Sequence, residues 1–172
     1  MLRKMVVGFA IIFFYLLQCT LFNKLALASV SPNLMIILVF AAGFLRGKRE
    51  GMYVGFFSGL ILDLFYGKVI GFYALLYMYI GYLNGSFNNR FYHEDVTLPM
   101  GLVFGSDFVF NFFFYVFSFL LRNRLDFGYY LLHIVFPEMI YTVVITLLIY
   151  RPILWINNKI EKVEKRSATK FG

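Results

Sequence analysis

Charge is scarce in this chain. Asp and Glu together number nine, and the charged residues make up 15% of the sequence, where roughly 25% is usual for a soluble globular protein. Histidine occurs twice and cysteine once, so no disulfide can form within the chain and no thiolate–imidazole metal cluster can be assembled. The lone thiol, Cys19, lies inside an apolar run and reads as an ordinary small apolar side chain. No serine or cysteine nucleophile is paired with a histidine, and no glycine-rich phosphate loop is present. The sequence therefore carries no enzyme signature, and it implies neither a cofactor nor a metal. Two-residue alternation of apolar and polar side chains is also missing, which argues against the staves of a membrane barrel.

What fills the chain instead is hydrocarbon. Apolar residues account for 61% of its 172 residues, and Phe alone occurs 23 times; a globular protein has roughly 45–50%. A soluble fold of this size has too little interior to hide so much apolar surface, so the solvent must be lipid. A helix rises about 1.5 Å per residue and needs about 20 residues to cross a hydrocarbon core of about 30 Å. Six runs approach that length: Met5–Phe22, Leu25–Leu45, Gly51–Tyr66, Ile70–Phe87, Thr97–Leu121 and Leu131–Tyr150. The second contains Ser31-Pro32, a plausible cap and first-turn pair, so its continuous helix is expected from Pro32. The expected architecture is all-α, a compact polytopic bundle of about six transmembrane helices over residues 1–150, followed by a cytoplasmic tail over 151–172.

The formal charge of +7 points to lipid headgroups and not to nucleic acid, because the basic residues cluster at the ends of apolar runs. With both termini in the cytoplasm, twelve of the sixteen Lys and Arg residues fall inside and four, Lys24, Lys68, Arg122 and Arg124, fall outside. The positive-inside rule favours that orientation. Met1-Leu-Arg-Lys, an apolar stretch and Ala26-Leu-Ala28 resemble a secretory signal, but 18 apolar residues exceed the 7–15 of a signal core, so a retained helix is expected. In the tail, Ile153, Ile156, Ile160 and Val163 recur at helical spacing among Lys and Glu, with Trp155 near the start. That pattern predicts a helix on the cytoplasmic membrane surface.

The strongest local pattern is Gly51, Gly55 and Gly59, which line one face of the third run; Gly81/Gly85 and Gly101/Gly105 repeat the spacing. Lacking side chains, such faces let another backbone approach closely, whether inside the bundle or from a partner. Asp63 continues the first stripe, one turn beyond Gly59. It either accepts hydrogen bonds from the amides of the following turn or pairs with Lys68, or else forms a contact or ion site facing the outer leaflet. Asp107 and Asn111 share a face near the middle of the fifth run, and Glu138 after Pro137 is their natural companion. A carboxylate at that depth costs at least a few kcal/mol and should face the bundle interior. A hydrogen-bonded lock and a proton or cation pathway are both open for this group. His133 is expected at the interface, since His93 lies on the opposite side of the membrane.

The segment from Pro32 to Gly85 carries a resemblance. It runs Pro32-Asn-Leu, an apolar helix, the basic hairpin Phe44-Leu-Arg-Gly-Lys-Arg-Glu-Gly51, then Gly55-Phe-Phe-Ser-Gly-Leu-Ile-Leu-Asp63-Leu-Phe-Tyr-Gly67, Gly71-Phe-Tyr-Ala-Leu and Ile80-Gly-Tyr-Leu-Asn-Gly85. Together with Pro137-Glu138-Met-Ile-Tyr141 it resembles the rod shape-determining protein MreD family, although Thr142 stands where many relatives have asparagine. The resemblance implies a non-catalytic scaffold in the bacterial cytoplasmic membrane. Its implied partners are MreC, a single-span protein, and the SEDS glycosyltransferase with its class-B penicillin-binding protein, all embedded in membrane lipid; a homo-oligomer is compatible. Side-wall peptidoglycan synthesis and rod shape are the implied role. The family is also similar in fold to the substrate-binding subunits of vitamin uptake transporters, which makes capture of a small molecule the rival reading. Against that rival, the first run is crowded with Ile11, Ile12, Phe13, Phe14 and Tyr15 where such subunits carry a small-residue alanine face.

Overall fold

The computed structural model describes residues 2–22, 31–67, 69–88, 97–118 and 127–168. Among these residues every regular element is helical: α1 (Leu2–Leu17), α2 (Leu34–Arg46), α3 (Lys48–Tyr66), α4 (Phe72–Gly85), α5 (Thr97–Ser118), α6 (Phe127–Tyr130) and α7 (Phe136–Ala168). A π turn, Gln18–Phe22, prolongs α1, and another, Leu131–Val135, joins α6 to α7 in a single rod. The second π turn ends next to Pro137, whose missing N–H cannot reach back to the His133 carbonyl; such widened turns commonly accompany an interrupted hydrogen-bond ladder.

The exterior is apolar where that of a water-soluble fold is polar, and polar groups are buried beside an apolar core. Phe9, Tyr53, Phe65 and Leu148 are each about two-thirds exposed, while Asn33, Ser58, Asp63, Asn84, Asp107 and Thr142 are buried. Large apolar side chains outside and polar ones inside suit a lipid solvent, where a buried polar group must find its partner within the protein. α2 occupies the centre: Leu34 to Ala41 and Phe44 are all buried, and the helix meets α1, α3, α4, α5 and α7. One apolar cluster joins α1, α2, α3 and α4 around Met35, Val39, Tyr77 and Ile80, and a second joins α2, α5 and α7 around Phe40, Phe44, Val103 and Tyr150.

Two helices, Thr97–Phe117 and Gly128–Val163, are by length and composition alone sufficient to cross a membrane. The others are shorter or more polar than the apolar runs suggest. α2 has 13 residues and α4 has 14, and α3 contains Lys48, Arg49, Glu50 and Asp63. The shortening of α2 has a local cause. Its cap is Asn33, not the expected Ser31-Pro32 pair, and the Asn33 side chain accepts from the Ile36 N–H at 3.3 Å. Asparagine is a strong N-cap because its short side chain reaches the amides left open in the first turn.

Short links join the helices elsewhere. Gly47, at φ +92°, turns α2 directly into α3, and Gly71, at φ +100°, precedes α4; both lie where a side chain would be strained. Asn84 Nδ2 donates to Ser106 Oγ at 2.7 Å, tying α4 to α5. Arg46 Nε donates to Asn157 Oδ1 at 2.6 Å, tying α2 to the end of α7, and Arg3 pairs with Glu50 at 2.5 Å, tying α1 to α3. α7 continues through Pro152 without a break. At 33 residues it is about 50 Å long, more than a bilayer core requires. Ile153 and Leu154 still pack on the α2–α5 cluster, whereas Trp155 and Val163 are exposed. The tail is thus continuous with the last long helix.

Candidate functional site

The glycine stripe of α3 meets the backbone of α4. A Cβ on Gly51 would strike the Gly81 carbonyl, one on Gly55 the Tyr77 carbonyl, and one on Gly59 the backbone of Tyr73 and Ala74. Gly81 and Gly85 are the reciprocal half, facing Gly51 and Lys48. Sequence reasoning missed Gly43, which brings α2 into the same seam against Gly81, Asn84 and Gly85. Its spacing to Gly47 and Gly51 was the available signal. Gly101 and Gly105 are a correction to the expected packing set. Both are exposed, and a Cβ on either would meet nothing within 4 Å. Their face of α5 points away from the bundle, because Val103, Ser106, Asp107 and Phe110 define the inner face.

Asp63 closes this seam. It is 2% exposed, and its carboxylate accepts from the amides of Gly71 at 3.0 Å, Tyr73 at 3.0 Å and Ala74 at 2.9 Å. These are open donors at the start of α4, where the helix dipole also favours a negative charge. The hydrogen-bonding role expected for Asp63 therefore holds. The expected partner Lys68 lies outside the described residues.

Above the core, at the end where α2 and α4 begin, lies an open cavity of about 400 Å³ lined among others by Gln18, Asn33, Tyr77, Asn111, Tyr130 and Glu138. A polar chain runs along its base. Tyr77 Oη donates to Asn33 Oδ1 at 2.9 Å, the Asn33 N–H donates to Thr142 Oγ1 at 3.1 Å, and the Met35 N–H donates to Gln18 Oε1 at 3.2 Å. Side chains from α4, α7 and the π turn after α1 thereby satisfy or fix the start of α2. Thr142, fully buried, makes the polar contact at the position where asparagine was expected.

Asp107, Asn111 and Glu138 do come together. Asp107 and Asn111 are one turn apart on α5, Glu138 and Thr142 one turn apart on α7, and the two helices pack side by side. Asp107 faces Thr142, and Asn111 faces Glu138. Asn111 Nδ2 donates to the Asp107 carbonyl at 3.1 Å and lies 3.4 Å from its Oδ1. His133 is exposed, its ring stacked on Tyr129 at 4.2 Å. His93 lies outside the described residues. Sequence reasoning also missed Asn33 and Tyr77, whose partners are separated from them by 109 and 44 residues.

An apolar exterior, polar groups buried beside an apolar core and long apolar helices define a helical membrane protein. The family is specific: the model of the rod shape-determining protein MreD matches residues 1–160, and the chain belongs to that family. Its role is accordingly in determining rod shape. None of the curated proteins and none of the solved structures matches the chain.

Proposed function

We propose that the chain is a non-catalytic scaffold of the bacterial elongation machinery, acting with MreC and the SEDS–class-B penicillin-binding protein pair to support side-wall peptidoglycan synthesis. In this reading residues 1–150 form a six-pass domain in the cytoplasmic membrane, and 151–172 form a cytoplasmic amphipathic tail. Both termini are cytoplasmic, which sets the polar cavity at the outer face. One observation carries the reading: in a chain of a shape-determining family, the buried polar groups go chiefly to helix ends and helix–helix contacts. Asp63, for example, is committed to three backbone amides. The seam of Gly51, Gly55, Gly59, Gly81 and Gly85 supports a stiff frame, and the exposed aromatic face of α3 and α5 offers area to partner helices. The test is to solubilise a tagged copy from its parent cell in mild detergent and probe for MreC. Co-purification is expected; a folded chain that captures no MreC would overturn the partnership.

A second reading, capture of a small molecule for uptake, is favoured by the size and polar lining of the outer cavity. The bulky exposed face of α1, with Phe9, Ile12 and Phe13, is unlike the small-residue docking face of uptake subunits. Retention of a vitamin through purification, detected by mass spectrometry, would favour this reading over the scaffold.

A further inference from the structure

Two carboxyl groups, Asp107 and Glu138, meet in the interior with no cation facing them among the described residues. Asp107 has no exposed surface, and its Oδ2 has no hydrogen-bond partner among the described residues. Glu138 lies beside it and reaches the wall of the outer cavity, which no Lys, Arg or His lines among the described residues. The ion pair of Arg3 with Glu50 joins α1 to α3 at the other end of the bundle. A carboxylate removed from water is strongly disfavoured unless paired. One proton shared between the two carboxyls still leaves a net negative charge beneath the cavity, and a water would meet the lone pairs without cancelling it.

A cation meets both demands. The side chains that converge here offer oxygen: the Asp107 and Glu138 carboxyls and the Thr142 hydroxyl. Oxygen donors without thiolate or imidazole suit hard cations, which complete their shell with water. The cavity of about 400 Å³ brings solvent to Glu138 and Asn111, one turn from Asp107. Asn111 Nδ2 lies 3.4 Å from Asp107 Oδ1, and Asn111 lines the cavity with Glu138, the place of a positioning residue between the two carboxyls.

We propose that Asp107, Glu138 and Thr142, with Asn111 positioning them, form a binding site for one hard cation of the alkali or alkaline-earth class, loaded from the outer cavity. Bound there, the ion would lock α5 against α7 beneath the cavity. The inference stands apart from the scaffold reading, since a cation could occupy the site whether or not MreC is the partner.

The test uses the full chain purified in detergent and stripped of ions into choline chloride. Thermal unfolding is followed while NaCl, CaCl₂ or MgCl₂ is added at constant ionic strength. A saturable rise in Tm with at least one of these salts is expected, because a ligand that binds the folded state stabilises it by mass action. Sodium against calcium or magnesium distinguishes the two classes. Asp107→Asn and Glu138→Gln are expected to lose the saturable response, whereas Glu50→Gln, at the remote ion pair, keeps it. If the two carboxamide variants fail to fold, equilibrium dialysis of the wild-type chain with radioactive sodium or calcium decides: one ion per chain supports the site. No ion bound, equal Tm in every salt, or folded Asp107→Asn responding as wild type does would each overturn it.

Discussion

Gly51 and Gly81 face one another backbone to backbone: a Cβ on either would collide with the other's carbonyl oxygen. This reciprocal contact fixes α3 on α4, and Gly43 extends it to α2. Substitutions here have nowhere to go, because the obstructing atoms are main chain. Gly51→Leu or Gly55→Leu should destabilise the chain by about 3 kcal/mol or more, at or above the upper end of ordinary overpacking. Gly101→Ala should stay within about 0.5 kcal/mol, the range of surface changes. Thermal unfolding of the purified variants checks both. Equal losses at Gly51 and Gly101 would contradict the assignment of the seam.

Asp63 holds the start of α4 through three amides. Asp63→Ala should cost about 2–3 kcal/mol, above a typical exposed cap, since buried donors would be left open. Asp63→Asn keeps one acceptor oxygen and should lose less. The pair of unfolding measurements gives the order; a milder effect from alanine would contradict the capping role.

Thr142 accepts from the Asn33 amide with no exposed surface. Thr142→Val preserves shape but orphans that amide, and should lower stability by about 1–2 kcal/mol. Thr142→Ser should lose less than valine does. Amide hydrogen exchange at Asn33 reports the same event locally: faster exchange is expected in the valine variant, and unchanged protection would count against the bond.

Topology follows from the basic residues. In a Cys19→Ala background, Ile70→Cys, exposed just beyond α3, should react with a membrane-impermeant maleimide in intact spheroplasts. Lys162→Cys, exposed near the end of α7, should react only after the membrane is opened. The reverse pattern would invert the proposed orientation.

The α3–α4 seam was legible in the sequence because four-residue spacing nearly matches the helical period, so Gly51, Gly55 and Gly59 must share a face. The same spacing misled at Gly101 and Gly105, since periodicity defines a face without saying what lies opposite. The meeting of Asp107 with Glu138 was legible from the cost of placing a carboxyl in hydrocarbon. The caps of α2 were not. Asn33, Thr142, Tyr77 and Gln18 come from four separate segments, and no local pattern encodes their convergence. The continuity of α7 through Pro152 was also hidden, because proline usually marks a helix end and here Ile153 and Leu154 pack beyond it.

Depletion of the chain in its parent bacterium, followed by microscopy of live cells, tests the central claim most directly. Cells that round up and swell as the protein disappears, and regain rods on re-expression, are the predicted result. Cells that keep normal width and length without it would contradict the account.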